Sequence, residues 1–124
     1  LAFVTDLRSD KAQQTSAGAE LCWYFAGLRD QFRLYGPVTL EASGPERLAL
    51  WQQLSAPTRA SFDCEPPGSH WVPSKKPSAA LEAPPLWFAR GVLHVERVDV
   101  LRLRKPMHER YRGSGQGKLR RVAP

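Results

Sequence analysis

The stretch Gln31-Phe32-Arg33-Leu34-Tyr35-Gly36-Pro37-Val38-Thr39-Leu40-Glu41 alternates along its length. Phe32, Leu34, Gly36, Val38 and Leu40 fall on one side; Gln31, Arg33, Tyr35, Thr39 and Glu41 fall on the other. A period of two belongs to a strand with one buried face, because successive side chains point to opposite faces of a sheet. Pro37 has no N–H to give to a ladder, which predicts an edge or a bulge at Gly36-Pro37.

Upstream, Leu21-Cys22-Trp23-Tyr24-Phe25 is aromatic and predicts a second strand, separated from the first by polar Arg29-Asp30. Leu1 to Thr5 predicts another, and Ser9 is placed to cap a helix that Gly18 stops. Downstream, Ser43-Gly44-Pro45-Glu46 matches a capping box. The helix behind it presents Leu50, Trp51 and Leu54 as an apolar stripe, and a further short helical turn fits residues 58–62. Residues 63–84 are rich in Pro, Ser, Gly and Lys and predict a long irregular loop. Leu86 to Leu93 and Val95 to Leu103 predict two strands, and a glycine-rich turn at residues 113–117 leads to a last one at Leu119 to Val122. The expectation is about six strands with two or three short helices in a single domain, residues 1–124. Without regular βαβ alternation, an antiparallel barrel with helical insertions fits better than a parallel sheet.

Composition agrees with a small globular domain: 42% hydrophobic and 24% charged residues over 124 positions. No run approaches the ~20 apolar residues of a membrane span. A soluble, cytoplasmic protein is the expectation. Cys22 and Cys64 are too few for a disulfide framework and have no partner at metal-ligand spacing, so free thiols and no metal are expected. The four tryptophans divide: Trp23, Trp51 and Trp87 are expected in the core, and Trp71 in the long loop is placed to cover a ligand. The net charge of +6 is concentrated at the C-terminal end, where residues 101–124 carry eight basic side chains against Glu109 alone. Such a bias fits a phosphorylated ligand, an anionic surface, nucleic acid, or a solvated edge.

Two segments carry candidate chemistry. In Phe3-Val4-Thr5-Asp6-Leu7-Arg8-Ser9-Asp10-Lys11 a strand turns into a helix N-terminus, whose free N–H groups favour a phosphate. Ser9 adds a hydroxyl and Lys11 a full charge there, although capped helices with a nearby lysine also occur without ligands. In Arg104-Lys105-Pro106-Met107-His108-Glu109-Arg110-Tyr111, His108 and Arg110 are two residues apart on an extended segment and are expected on one side. That pair suits a phosphate or a planar anionic ring, with the guanidinium as bidentate donor. An exposed basic edge is the competing reading.

Taken in order, these segments resemble the pyridoxamine 5'-phosphate oxidase family. Phe3 to Ala12, Glu20 to Phe25, Arg29 to Gly36, His108-Glu109-Arg110 and the closing Leu119 to Pro124 carry the likeness. The resemblance implies an FMN-binding split β-barrel working as a homodimer with flavin at the interface. It implies that Val4 and Thr5 touch the flavin, that Lys11 holds its phosphate, beside the hydroxyl that Ser9 adds at the helix start, and that Gln31 and Arg110 meet the ring. His108 would lie beside the substrate. The implied reaction is oxidation of pyridoxamine or pyridoxine 5'-phosphate to pyridoxal 5'-phosphate, with oxygen as acceptor. Three positions depart from the family pattern: Asp10 and Pro106 stand where arginines are usual, and Leu101 where a tryptophan is. The likeness begins partway into the family fold, so a chain truncated at its N-terminus is expected. A flavin reductase-like protein with another substrate is one alternative. A non-enzymatic basic module is the other, but the tail lacks the interleaved aromatics of single-strand binders, so nucleic acid is not the expected partner.

Overall fold

The computed structural model describes residues 1–70 and 81–124. The chain divides into two compact units. One holds Ala2–Thr15 and Thr39–Val92; the other holds Leu1, Ser16–Val38 and Leu93–Pro124.

The first unit is built on a three-stranded sheet in the order β1-β5-β4, with β1 at Ala2–Asp6, β4 at Val38–Glu41 and β5 at Phe88–Leu93. β1 and β5 are antiparallel, with Thr5 opposite Ala89 and Asp6 opposite Phe88. Three helices belong here: α1 (Asp10–Gln13), α2 (Pro45–Gln53) and α3 (Ala56–Ala60). Ser9 caps α1 as expected, its hydroxyl accepting from Ala12 N at 3.3 Å and donating to the Asp6 carbonyl at 2.7 Å.

The capping box at α2 does not form. Gly44, at φ 101°, is the N-cap, and no side-chain bond closes the helix start. Pro45, whose fixed φ suits the first helical position, moves the boundary one residue past Ser43. The core is an edge-to-face triad of Trp51, Phe62 and Phe88, with centroids 4.8 to 5.8 Å apart. Trp51 and Phe88 are 1% and 0% exposed, and full burial of such side chains contributes roughly 1.5–3 kcal/mol each. Arg47 is buried on the same helix, donating from Nε to the Phe88 carbonyl at 2.9 Å and from Nη2 to the Pro85 carbonyl at 2.6 Å.

The second unit is a five-stranded antiparallel sheet in the order β2-β3-β6-β7-β8. Its strands are Ala19–Phe25, Asp30–Gly36, Arg97–Arg102, Glu109–Ser114 and Arg120–Val122. The register sorts its side chains into two faces. One carries Trp23, Phe32, Val100 and Tyr111 in a cross-strand row, with Leu21, Leu34 and Val98 beside them. The other carries the rows Glu20-Tyr35-Arg97-Ser114, Cys22-Arg33-Asp99-Arg112-Arg120 and Tyr24-Gln31-Leu101-Arg110-Val122. Gly36 lies where the backbone of residue 94 passes, and a Cβ there would overlap the His94 carbonyl oxygen.

Three expectations need correction. The alternating segment is two strands in different sheets, because Pro37 ends β3 and the chain enters the other sheet at β4. Eight strands form among the described residues rather than six; β7 is a full strand although Glu109-Arg110-Tyr111-Arg112 has almost no apolar content. Trp23 is 51% exposed rather than in the core, because its strand is the outer member of its sheet. Trp71 and much of the predicted loop lie outside the described residues, while the flanking positions 64–70 and 81–87 form no helix or strand.

Candidate functional site

The expected site residues fall into two groups, one in each unit. In the first unit, Val4, Thr5, Asp6, Ser9 and Lys11 line a groove of about 270 Å³, closed on its other side by Ser61, Phe62 and Pro67. The reason is local: β1 runs out at Asp6, and the Ser9 cap turns the chain so that Lys11 falls in the first turn of α1.

Thr5 is 5% exposed, and its Oγ1 has no hydrogen-bond partner among the described residues. An unpaired buried hydroxyl costs roughly 1–3 kcal/mol, and this one belongs to a residue that lines the groove. Asp6 is the one acid in the groove lining, and Arg8 occupies it: Nη2 donates to Oδ2 at 2.7 Å, and Arg8 N donates to Oδ1 at 2.8 Å. Burial pushes the Asp6 carboxyl up, but the bonds from Arg8 outweigh it and hold the group below its ordinary value. The Arg8 guanidinium also lies over the Trp87 ring at 4.3 Å. Lys11 is exposed and has no ion pair among the described residues, and Asp10 is also exposed at the first position of α1. The residues present therefore suit a phosphate group and a hydrogen-bonding ring edge.

In the second unit, Gln31, Arg33, Asp99, Leu101 and Arg110 line a groove of about 160 Å³ on the polar face of the sheet. Gln31, Leu101 and Arg110 are cross-strand neighbours, so β3, β6 and β7 bring them together. Arg110 is fixed by Asp99, donating from Nε to Oδ1 at 2.9 Å and from Nη2 to Oδ2 at 2.7 Å. Arg112 donates from Nε to the same Oδ2 at 2.7 Å. These bonds, that from Arg110 first, hold the Asp99 carboxyl below its ordinary value, and Asp99 raises the Arg110 guanidinium in turn. With its amide oxygen turned to the guanidinium, Gln31 accepts from Arg33 Nε at 2.9 Å.

His108 is exposed immediately before β7 and does not join this row. Asp99 was not among the expected site residues, although an acid inside the apolar run Val98-Asp99-Val100-Leu101 was a usable signal. Ser61, Phe62 and Pro67 were also missed as groove residues, since only the folded chain brings them beside β1. Arg59 is committed to its own helix end, donating from Nε to the Leu54 carbonyl at 3.0 Å.

Comparison with known proteins bears on the family and the fold. A profile described as "Pyridoxamine 5'-phosphate oxidase, FMN-binding domain" matches residues 1–42. A pyridoxamine 5'-phosphate oxidase-related, FMN-binding protein from Nostoc punctiforme superposes with a TM-score of 0.82 and is 32% identical, covering 100% of this chain and 73% of that one. PhzG from Burkholderia lata, solved with tetrahydrophenazine-1-carboxylic acid, shares the fold at a TM-score of 0.71 and 20% identity, over 99% of this chain and 68% of that one. A pyridoxine/pyridoxamine 5'-phosphate oxidase of Arabidopsis thaliana is 35% identical over 74 residues, an alignment that spans only 37% of that protein. The chain belongs to the pyridoxamine 5'-phosphate oxidase-related, FMN-binding family. Its fold is the mainly β, split-barrel type expected from the sequence.

Proposed function

We propose that this chain is an FMN-dependent oxidoreductase whose substrate is the 5'-phosphate of pyridoxamine or pyridoxine, and that it works as a homodimer in the cytoplasm. The observation that carries the flavin assignment is the Thr5 hydroxyl, buried without a partner among the described residues, on a residue that lines one groove with Lys11. When bound, FMN would supply the two-electron redox chemistry for oxidising the substrate with oxygen as acceptor.

The protein's part is to bind and orient. Lys11 and the Ser9 turn hold the FMN phosphate, Lys11 as a point charge. Val4 and Thr5 meet the flavin, and the Thr5 hydroxyl gains the partner it lacks. Gln31 and Arg110 face the ring, Arg110 with a guanidinium kept charged and fixed in direction by Asp99. His108, exposed beside β7, is free to meet substrate.

The relationship to the Arabidopsis oxidase supports this substrate class for the matched segment. Leu101 and Pro106 favour a second reading, a flavin reductase-like protein with a different substrate.

Titration of the purified protein with FMN, followed by flavin fluorescence and visible absorption, tests the cofactor assignment. Saturable binding is expected, weakened at least tenfold in Lys11→Ala. Absence of binding to the unmodified chain sinks the reading. Turnover of pyridoxine 5'-phosphate with oxygen consumption then separates the oxidase from the reductase-like alternative.

A further inference from the structure

The polar face of the five-stranded sheet carries more positive charge than its own acids balance. Beyond the Gln31–Arg110 row, a groove of about 240 Å³ is lined by four arginines (Arg33, Arg97, Arg110 and Arg112) against two carboxylates, Glu20 and Asp99. Each acid is spoken for. Asp99 serves Arg110 and Arg112 together, so one carboxylate faces two guanidiniums. Glu20 reaches Arg33 only at 3.8 Å, outside hydrogen-bond distance. Arg97 has no carboxylate partner among the described residues; its guanidinium lies 4.0 Å above the Tyr35 ring. Arg120 stands directly across from Arg112 and adds a like charge to the same row, a pairing that is unfavourable on a sheet. The lining keeps a net charge of two positive, with the N–H groups of Arg97 and the two terminal nitrogens of Arg112 uncommitted.

The groove is also extended. At one side it shares Glu20, Tyr35 and Arg97 with a wider space of about 610 Å³ bounded by small residues and backbone at Gly18, Gly36 and Pro37. At the other it shares Arg33, Asp99 and Arg110 with the groove of Gln31 and Leu101. A basic middle that opens at one end into a wider space, where Glu20 and Glu96 face Arg97 alone, and at the other into a smaller, less charged groove fits a phosphate inside an organic molecule better than it fits a bare ion. A phosphate carries about −1.5 to −2 charge at neutral pH, which matches the excess, and planar guanidinium forks suit its oxygens.

We propose that this groove is a second anion site, distinct from the Lys11 groove, that binds the phosphate or diphosphate of a phosphorylated organic ligand. Arg97 and Arg112 are its determinants, and Tyr35 holds the Arg97 guanidinium flat.

The test is calorimetric titration of the FMN-loaded protein with inorganic pyrophosphate and, separately, with ADP, at low ionic strength. Saturable binding of pyrophosphate is expected. In the Arg97→Ala/Arg112→Ala double variant it weakens tenfold or more, and Arg97→Ala alone, which leaves the bonds to Asp99 in place, weakens it in part while FMN affinity stays unchanged. Arg97→Lys/Arg112→Lys keeps the charge but loses the forks and is expected to fall between the two. Tighter binding of ADP than of pyrophosphate shows that the ligand's organic body is also held; equal binding shows that the diphosphate alone is recognised, and both support the site. No saturation by either probe overturns the proposal, as does equal affinity in the double variant or displacement of pyrophosphate by added FMN. Because FMN affinity is measured on the same samples, failure of this site is separable from failure of the flavin assignment.

Discussion

Two side chains make opposite demands on the folded chain, and each gives a prediction. Thr5 keeps a hydroxyl buried without a partner. Thr5→Val removes the hydroxyl at nearly constant shape, so the FMN-free protein is expected to gain about 1 kcal/mol, by relief of an unsatisfied group. On the proposed reading the same change deletes a contact to the flavin, so FMN affinity is expected to fall. Opposite signs in FMN-free melting and FMN titration are the signature; a loss in both assigns the hydroxyl to the fold alone. Asp99 is the reverse case, a carboxylate saturated by Arg110 and Arg112 and held below its ordinary value. Since its folded-state value is the depressed one, its contribution to stability is complete above the ordinary carboxylate value, about pH 4, and is lost as pH falls through the folded value. The stability gap between wild type and Asp99→Asn is therefore expected to be constant near neutrality and to close in acid, by urea unfolding across pH. FMN binding by Asp99→Asn is expected to weaken, since Arg110 loses the group that fixes its direction. Asp99→Glu keeps the charge and is expected to restore part of it.

Elements were legible wherever local pattern decides them. The Ser9 cap, the stop at Gly18 and the aromatic strand around Trp23 follow from backbone chemistry within a few residues, and all are present. What failed depends on partners distant in sequence. A period of two cannot say that β3 and β4 join different sheets, since both keep the alternation across Pro37. β7 reads as a charged segment because its pairing partners are supplied by β6, with Val100 opposite Tyr111 on one face and Asp99 opposite Arg112 on the other. For the same reason Asp99 escaped notice as a site residue: its meaning comes from two arginines eleven and thirteen positions away. The aromatic stripe of α2 was readable, but Arg47 on that helix was not, because nothing local predicts a guanidinium buried against the Pro85 and Phe88 carbonyls. Arg47→Ala is expected to destabilise the protein by about 2–4 kcal/mol, through two lost charge-assisted bonds and an emptied space beside Phe88. Chemical denaturation measures it, and a change below about half a kcal/mol makes Arg47 a tolerated passenger of the core.

On the scale of the whole molecule, the unresolved question of surface is the aromatic face of the five-stranded sheet. Trp23 and Phe25 stack with centroids 5.1 Å apart, Phe25 meets Phe32 edge-on, and the two stacked rings are 51% and 38% exposed. They lie on β2, the outer strand of its sheet, whose free backbone edge is itself a template for another strand. Each such ring can bury about 150–250 Å² when fully covered, and with about half or less of each still exposed the pair offers roughly 200 Å² per copy, about a quarter of the roughly 800 Å² per partner that a stable interface needs, so the rest must come from the surface around them. The proposed homodimer therefore has a physical candidate for its contact surface, one that is apolar, aromatic and contiguous. If β2 is that surface, Trp23→Ser with Phe25→Ser is expected to shift the protein from dimer to monomer in light scattering at micromolar concentration. Flavin affinity should then fall with it, because a site built at a dimer interface is lost with the interface. A monomeric double variant that still binds FMN as wild type does would separate the aromatic face from the flavin site. A variant that stays dimeric moves the interface to another face of the molecule.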